Sequence, residues 1–571
     1  MPKDELLAII AFLEELRGSA LAGIGLRESD PYWNMSLYIM RRHLEGKSTS
    51  VSGLAASALI PYGSAMRRID EMVESELIFK RVRTATGRSY SVHPTPELIQ
   101  RTVVSLERVK RLIGRVSMNS SDRQFYLGGS YLGEREIASP TALEPPVGRG
   151  ETIDILVQDD PTFKVLIRHQ RELQEWLGGR IRITAMKMDR LRQETLANAR
   201  EARSRYDIVA VDMTWTGEYA SDNILLPLTP LIAKADMEFA DFHPTASQAA
   251  HFGGVQYAIP IQAAPELLLC RSDLLDAHGL KAPETTDDVI EAAKLISARR
   301  GALYGIAWRA GRGLPIAHSF VQFMASFGQP PVVLPSEEGE YFVGNLEDDA
   351  LEPALTCEAA YRAAEFMLRL KAVSPPNIGQ MDAEDAIAAY AKGDVAMVYA
   401  WSCRASRFEL DYFSPARANT VYLAHPHGPG APAVSPIGGY LLGIPANLDP
   451  RRVHMAWRVI SWLVSPEALK FYVQSGSFAS PRFSVSADPE VARSCHVIGA
   501  VDRLAQTGQI KLWPRPPIPK LSLLFDILGE EIHDMLMGSK TVDAALSGAQ
   551  RRAQALLRAS NPKERLYALA H

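Results

Sequence analysis

Between residues 117 and 150 the chain loses all periodicity. Ser117, Ser120, Ser121, Gly128, Gly129, Ser130, Gly133, Ser139, Pro140, Pro145, Pro146, Gly148 and Gly150 crowd into this one stretch. Glycine and proline at this density end helices and strands alike, so the stretch reads as a linker. It divides the chain into an N-terminal domain of residues 1–116 and a C-terminal domain of residues 151–571. A single core is in any case excluded at 571 residues, because cores stop growing near about 250–300 residues. The hydrophobic content of 47% leaves enough apolar material for full-sized cores on both sides of the break.

The two sides differ in pattern and in charge. Residues 1–116 hold 17 Lys or Arg against 13 Asp or Glu, while the whole chain carries −4, so a mildly basic head precedes an acidic body. Only the head is therefore expected to meet a polyanion. Acids at positions 4, 5, 14 and 15 replace the basic end and apolar run of an export signal, and no run of 18 consecutive apolar residues occurs. The expectation is a cytoplasmic protein without a membrane span. Cys270, Cys357, Cys403 and Cys495 stand far apart, outside zinc-ligand spacing, and are expected to be buried free thiols.

In the head, Pro31 to Leu44 has apolar residues at helical spacing and stops at Glu45-Gly46. Ser50 to Leu59 reads as a short helix, Ile60-Pro61-Tyr62 as a tight turn, and Gly63 to Ser75 as a second helix. This is a helix-turn-helix. With Met66, Ile69, Met72 and Val73 facing inward, Ser64, Arg67, Arg68 and Glu71 face outward on the early turns, which are the turns that enter a DNA major groove. Two strand-like runs flank Thr84-Ala85-Thr86-Gly87, and residues 77–93 carry Lys80, Arg81, Arg83 and Arg88 with no acid. The expected DNA contacts are Ser64, Arg67, Arg68, Lys80, Arg81, Arg83 and Arg88.

The order of these pieces resembles the MarR-type winged-helix family: Arg67 to Met72, then Glu76-Leu77-Ile78, then Gly87-Arg88, then His93-Pro94-Thr95-Pro96-Glu97-Leu98. Thr86 stands where that family usually has an Asp. The resemblance implies a homodimer on a pseudo-palindromic double-stranded DNA operator, with amphipathic segments at Glu5 to Leu16 and Glu97 to Ile113 available to pair the subunits.

Beyond the linker, Thr152 to Val157 is an apolar run, Phe163 to Leu177 a helix pattern ending at Gly178-Gly179, and Ile181 to Ala185 a second apolar run. Strand, loop, helix and strand in this order begin a parallel sheet, whose ligands sit beyond the carboxyl ends of the strands. Asp160 lies at such an end. The strand Tyr206 to Val211 delivers Asp212 and Trp215 to the same edge.

Read in order, these residues resemble the solute-binding proteins of sugar-type ABC importers, the maltose-binding-protein-like family 1. Four further segments carry the resemblance: Tyr390 to Met397 with Trp401, Gly438-Gly439-Tyr440 to Pro445, Trp457 to Ala468, and Gly538 to Leu546. The resemblance implies a type II periplasmic-binding-protein-like α/β domain of two lobes, one of about 151–260 and 433–475, the other of about 261–432 and 476–571. The fold class expected for the whole is thus multidomain α/β, a winged helix-turn-helix fused to this two-lobed domain.

Sugar sites combine aromatic faces with planar polar groups. The cleft residues implied are Asp160, Trp215, Gln262, Trp401, Arg404, Gly439, Tyr440 and Arg482, for a sugar, polyol or sugar derivative. Arg309, Arg312 and His318 form a further set with Arg404, and two or more of these four in the cleft would point to an acidic or phosphorylated ligand. Patterns of serine hydrolases, zinc proteases and Rossmann nucleotide binding are missing from the sequence. His425-Pro426-His427 reads as a turn, and no enzyme activity, cofactor or metal is expected. The reading is a ligand-responsive transcription regulator; the alternative is a carbohydrate-binding component associated with ABC transport, whose N-terminal domain contacts another protein.

Overall fold

The computed structural model describes residues 6–7, 10–11, 13, 30–82, 90–103, 105–106, 126–127, 130–131, 147, 150–235, 237, 239–299, 303–337, 340–343, 351–411 and 413–559. The chain forms two compact units, Met1–Glu136 and Ile137–His571. Most of the 117–150 linker lies outside the described residues, as do Arg83, Arg88 and most of the segment 5–16.

In the first unit the helix Pro31–Leu44 starts where the Asp30 side chain accepts from Tyr32 N and Trp33 N at 3.0 and 3.4 Å. Its inward residues Met35 and Ile39 are fully buried. The next helix is shorter than its sequence pattern, Val51–Ser57, because each end is set by a specific geometry. Ser50 Oγ caps Gly53 N at 3.0 Å, and Leu59 turns left-handed at φ 57°. The second helix of the pair is Tyr62–Glu74. Its buried residues are Ala65, Ile69 and Met72, whereas Met66 and Val73 are half-buried.

A hairpin follows, Ile78–Val82 antiparallel to Tyr90–Pro94 with Lys80 opposite Val92. The short strand Thr49–Ser50 adds to its far edge through Ser91 and Val92. Thr95 closes the hairpin, its Oγ1 donating to Glu76 O at 2.8 Å, and a helix opens at residue 96.

The second unit is built on two sheets. The first has five strands in the order Ala258–Pro260, Tyr440–Gly443, Ile208–Asp212, Thr152–Gln158 and Arg180–Met186. The last three are mutually parallel, as the strand-helix-strand reading requires, and Tyr440–Gly443 runs antiparallel to both of its neighbours. Every residue of Ile208–Asp212 is buried, the mark of a central strand covered on both faces. The single helix expected over 163–177 is two helices, Pro161–Arg168 and Gln170–Leu177. The break falls at His169, whose ring packs edge-on against Phe471 at 4.9 Å.

The second sheet has four strands in the order Tyr304–Ala307, Val395–Trp401, Glu266–Arg271 and Thr420–Leu423. The chain therefore crosses from the first sheet to the second between Pro260 and Glu266, and returns between Leu423 and Tyr440. The last helices, Leu521–Met537 and Val542–Arg558, pack with Leu314–Ser326 and Glu358–Lys371 on the side of the second sheet. The stretch after 475 is not wholly on that side: Phe483–Ser486 packs on Pro466–Gln474, and Arg482 bridges to Phe242 of the first lobe. No helix among the described residues is long and apolar enough to cross a membrane.

Candidate ligand-binding site

The carboxyl ends of the central strands face a cleft of about 230 Å³ between the two sheets. Asp160 enters it because it caps the helix Pro161–Arg168, accepting from Thr162 N at 3.0 Å. Gln262, on the first crossing, donates through Nε2 to Asp160 Oδ1 and to Thr162 Oγ1, each at 2.7 Å. The return crossing is pressed against this segment. Gly439 has φ 126°, and a Cβ built there would meet the Gln262 carbonyl oxygen at 2.4 Å. Only glycine satisfies both conditions. Tyr440 follows, its ring edge-on to Phe163 at 5.5 Å.

The opposite wall rises from the second sheet. Trp401 ends the strand Val395–Trp401 and stays half-exposed. The guanidinium carbons of Arg309 and Arg515 lie over its ring, 4.8 and 4.9 Å from the centroid. Arg309 is buried and donates through Nη2 to Glu266 Oε1 at 2.7 Å and to Gln322 Oε1 at 2.6 Å. Arg515 donates to Ile437 O at 3.0 Å, and its one ion pair among the described residues is the longer 3.5 Å contact with Asp212. His318 completes this end, 4.7 Å from the Phe525 ring.

At the other end Arg404 pairs with Glu384, which is also held by Arg407 at 2.6 Å. Glu384 stands in the first turn of the helix Ala383–Lys392, fixed by a capping box between Asp382 and Asp385.

Burial dominates the electrostatics. It raises the Asp160 carboxyl above its ordinary range, against hydrogen bonds from Thr162 and Gln262 and the charge of Arg404. It raises Glu266 too, against the pull of Arg309. His318 is driven well below the ordinary histidine range by burial and then by Arg515 and Arg309, so it stands neutral at pH 7.

Asp160, Gln262, Trp401, Arg404, Gly439 and Tyr440 thus meet in one cleft, together with Arg309 and His318. Trp215 does not. It packs in the core of the first lobe, its ring 5.7 Å from Tyr219, because its short helical turn points inward. Arg482 is also elsewhere, over the Phe242 ring at 3.8 Å and paired with Asp241 at 3.0 Å. Arg312 is turned outward to Asp534 at 2.7 Å. His425, read as part of a turn, is fully buried 3.8 Å from Glu266.

Sequence reasoning missed Arg515, Glu266 and Glu384. An acid opening the apolar run Leu267-Leu268-Leu269 was a usable signal for Glu266, whereas Arg515 sits in a proline-rich segment without periodicity. A second hollow of about 360 Å³ lies along Ala383–Lys392, but exposed Lys392, Arg407, Asp411 and Pro415 line it, and it has no comparable set of buried polar groups. Among the described residues no three His, Cys, Asp or Glu side chains are grouped to hold a metal ion.

In the N-terminal unit Ser64, Arg67 and Arg81 are exposed. Arg68 is engaged internally, donating to Glu71 Oε2 at 2.8 Å and to the Tyr32 hydroxyl at 2.9 Å. Lys80 is paired with Asp70 at 2.7 Å, so the helix supplies the acid that the hairpin lacks.

Residues 180–470 match the family model of the bacterial extracellular solute-binding proteins. The chain belongs to that family. Solved structures share its two-lobed fold. An ABC-transporter solute-binding protein from Agrobacterium radiobacter, in complex with ribitol, is 25% identical at a TM-score of 0.65, covering 72% of this chain and 100% of that one. The maltose-bound MalE3 of T. maritima is 21% identical, TM-score 0.60, covering 71% and 98%. A solute-binding protein from Agrobacterium vitis with bound D-mannitol is 20% identical, TM-score 0.59, covering 71% and 97%. In each case the matched share fits the second unit, and the solute-binding fold accounts for the two sheets and both crossings.

Proposed function

We propose that the unit Ile137–His571 binds a small polyhydroxylated molecule, a polyol or sugar derivative, in the cleft between its sheets. The observation that carries this reading is the combination, in one cleft, of the Trp401 face with the planar polar groups of Asp160, Gln262, Arg309, Arg404 and Arg515. An aromatic face stacks on C–H surfaces while planar groups bond paired hydroxyls. The ribitol held by the Agrobacterium radiobacter relative supports the ligand class. Calorimetric titration of the full chain with pentitols, hexitols and their aldoses tests the reading, and absence of heat and of thermal stabilisation with all of them sinks it.

Family membership most directly supports work as the binding component of an ABC importer, outside the cytoplasm, and on that reading the N-terminal unit contacts a protein partner. A second reading is favoured by that N-terminal unit. Two helices joined by a tight turn, then a hairpin, with Ser64 and Arg67 exposed on the early turns of the second helix and Arg81 on the hairpin, support reading it as a MarR-type winged-helix DNA reader. On this reading the chain is a cytoplasmic, homodimeric transcription regulator whose operator binding responds to the ligand, and neither reading includes catalysis. Fluorescence anisotropy with a pool of labelled duplexes separates the two. Binding that weakens steeply with salt supports the regulator, and no binding at low salt removes it.

A further inference from the structure

Three guanidinium groups of the cleft keep a buried N–H group without a hydrogen-bond partner among the described residues. The carboxylates of the cleft already hold partners: Asp160 Oδ1 accepts from Thr162 and Gln262, Asp212 Oδ1 from the amide and hydroxyl of Thr214, Asp382 Oδ1 from the amides of Glu384 and Asp385, and Glu384 is paired with Arg404 and Arg407, while Glu266 Oε2, behind Arg309, is buried without a hydrogen-bond partner among the described residues. The Nε–H groups of Arg309, Arg404 and Arg515, and Nδ1 of His318, are buried without a hydrogen-bond partner among the described residues. Gln158 Oε1 shares that condition, but its amide can turn to present a donor.

Two of these guanidiniums share the Trp401 ring; Arg309 is paired with Glu266 at 2.7 Å, whereas Arg515 reaches Asp212 at 3.5 Å. Glu266 and Gln322 both use the same Nη2 of Arg309, and the Asp212 oxygen facing Arg515 at 3.5 Å already accepts from Thr214. A desolvated cation is costly unless an anion answers it. A neutral hydroxyl answers an N–H group only through its oxygen and carries no charge to set against a buried guanidinium. A carboxylate or phosphate brings acceptors alone, in the geometry that guanidinium groups bind.

We infer that the ligand is a polyol-like molecule with one anionic end, a carboxylate or a phosphate, held where Arg309, His318, Trp401 and Arg515 converge, while its hydroxylated end lies toward Asp160, Gln262 and Arg404. The inference rests on the cleft being the binding site.

The test is titration calorimetry of the full chain at pH 7 with two series of probes: ribitol, ribonate and ribitol 5-phosphate, and mannitol, mannonate and mannitol 1-phosphate. In at least one series an anionic member is expected to bind about tenfold or more tighter than its parent polyol. The carboxylate and phosphate arms tell which oxyanion the site prefers. In Arg515→Gln the ratio of anion to polyol affinity falls toward one, and in Arg515→Lys much of it returns. The wild-type ratio decides the matter even if a variant fails to fold. A parent polyol that binds as tightly as its anions in both series overturns the inference and leaves the cleft a binding site. No binding by any of the six overturns the inference, and overturns the function proposed for the cleft as well when the remaining pentitols, hexitols and aldoses also fail to bind.

Discussion

Gly439 shows how one residue ties the two crossings together. Its φ of 126° lies where side-chain-bearing residues are strained, and the 2.4 Å approach of the Gln262 carbonyl leaves no room for a methyl group. Gly439→Ala is expected to cost about 1–3 kcal/mol in urea unfolding and to weaken ligand binding by displacing Gln262 from Asp160. His425 sets a different expectation. Burial, with Arg309 nearby, pushes its pKa down to about 3. It is neutral when folded and titrates near the ordinary value of about 6.5 when unfolded. Its contribution to stability is therefore complete above about pH 6.5 and is lost as pH falls toward 3. Between pH 7 and pH 5 the loss is about 2 kcal/mol. Asp160 and Glu266, raised by burial, work in the opposite sense, so the clean measurement compares wild type with His425→Gln at both pH values. An equal pH dependence in the two proteins would show that His425 does not titrate in this way.

At the scale of elements, the capping box of the helix Ala383–Lys392 matters because the first turn carries Glu384, the partner of Arg404 in the cleft. Asp382→Ala is expected to destabilise the second unit by about 1 kcal/mol, read by urea unfolding, and to lower ligand affinity as Glu384 loosens. The helix Tyr62–Glu74 carries the expectation for the first unit. Arg67 is exposed and can meet a phosphate, whereas Arg68 is tied to Glu71 and Tyr32. If the unit reads DNA, Arg67→Ala weakens duplex binding across all sequences and lowers the salt slope by about one. Arg68→Ala, by contrast, shows first as a lower thermal midpoint of the unit.

Elements were legible where propensity and capping agree. The bounds of Pro31–Leu44 follow from an Asp cap, a leading proline and apolar spacing. The helix over 163–177 was misread as one piece because the His169 break comes from packing on Phe471, a residue some 300 positions away.

Over the whole molecule, the two units have separate cores, so calorimetry of the full chain is expected to show two transitions. A ligand at about one hundred times its dissociation constant adds about 2.7 kcal/mol to the unit that binds it, and should raise the transition of Ile137–His571. If the chain is a ligand-responsive regulator, ligand must change operator affinity by the same factor by which operator changes ligand affinity. Two titrations, one in each order, measure that factor, and a factor of one removes ligand control of DNA binding.

The sequence by itself determined the division into two units, the parallel start of the first sheet, and six of the eight residues proposed for the cleft: Asp160, Gln262, Trp401, Arg404, Gly439 and Tyr440. These are properties of local pattern and ordered motifs, because strand ends and glycine pairs are written within a few residues of one another. The tertiary structure alone decided that Trp215 and Arg482 belong to packing, that Lys80 is answered by Asp70, and that Arg515 stands beside Arg309 over Trp401. Those outcomes depend on which distant segments share a space. Desolvation and ion pairing act through space and leave no period in the chain, and Arg309 and Arg515 share the Trp401 ring only when residues about two hundred positions apart are brought together.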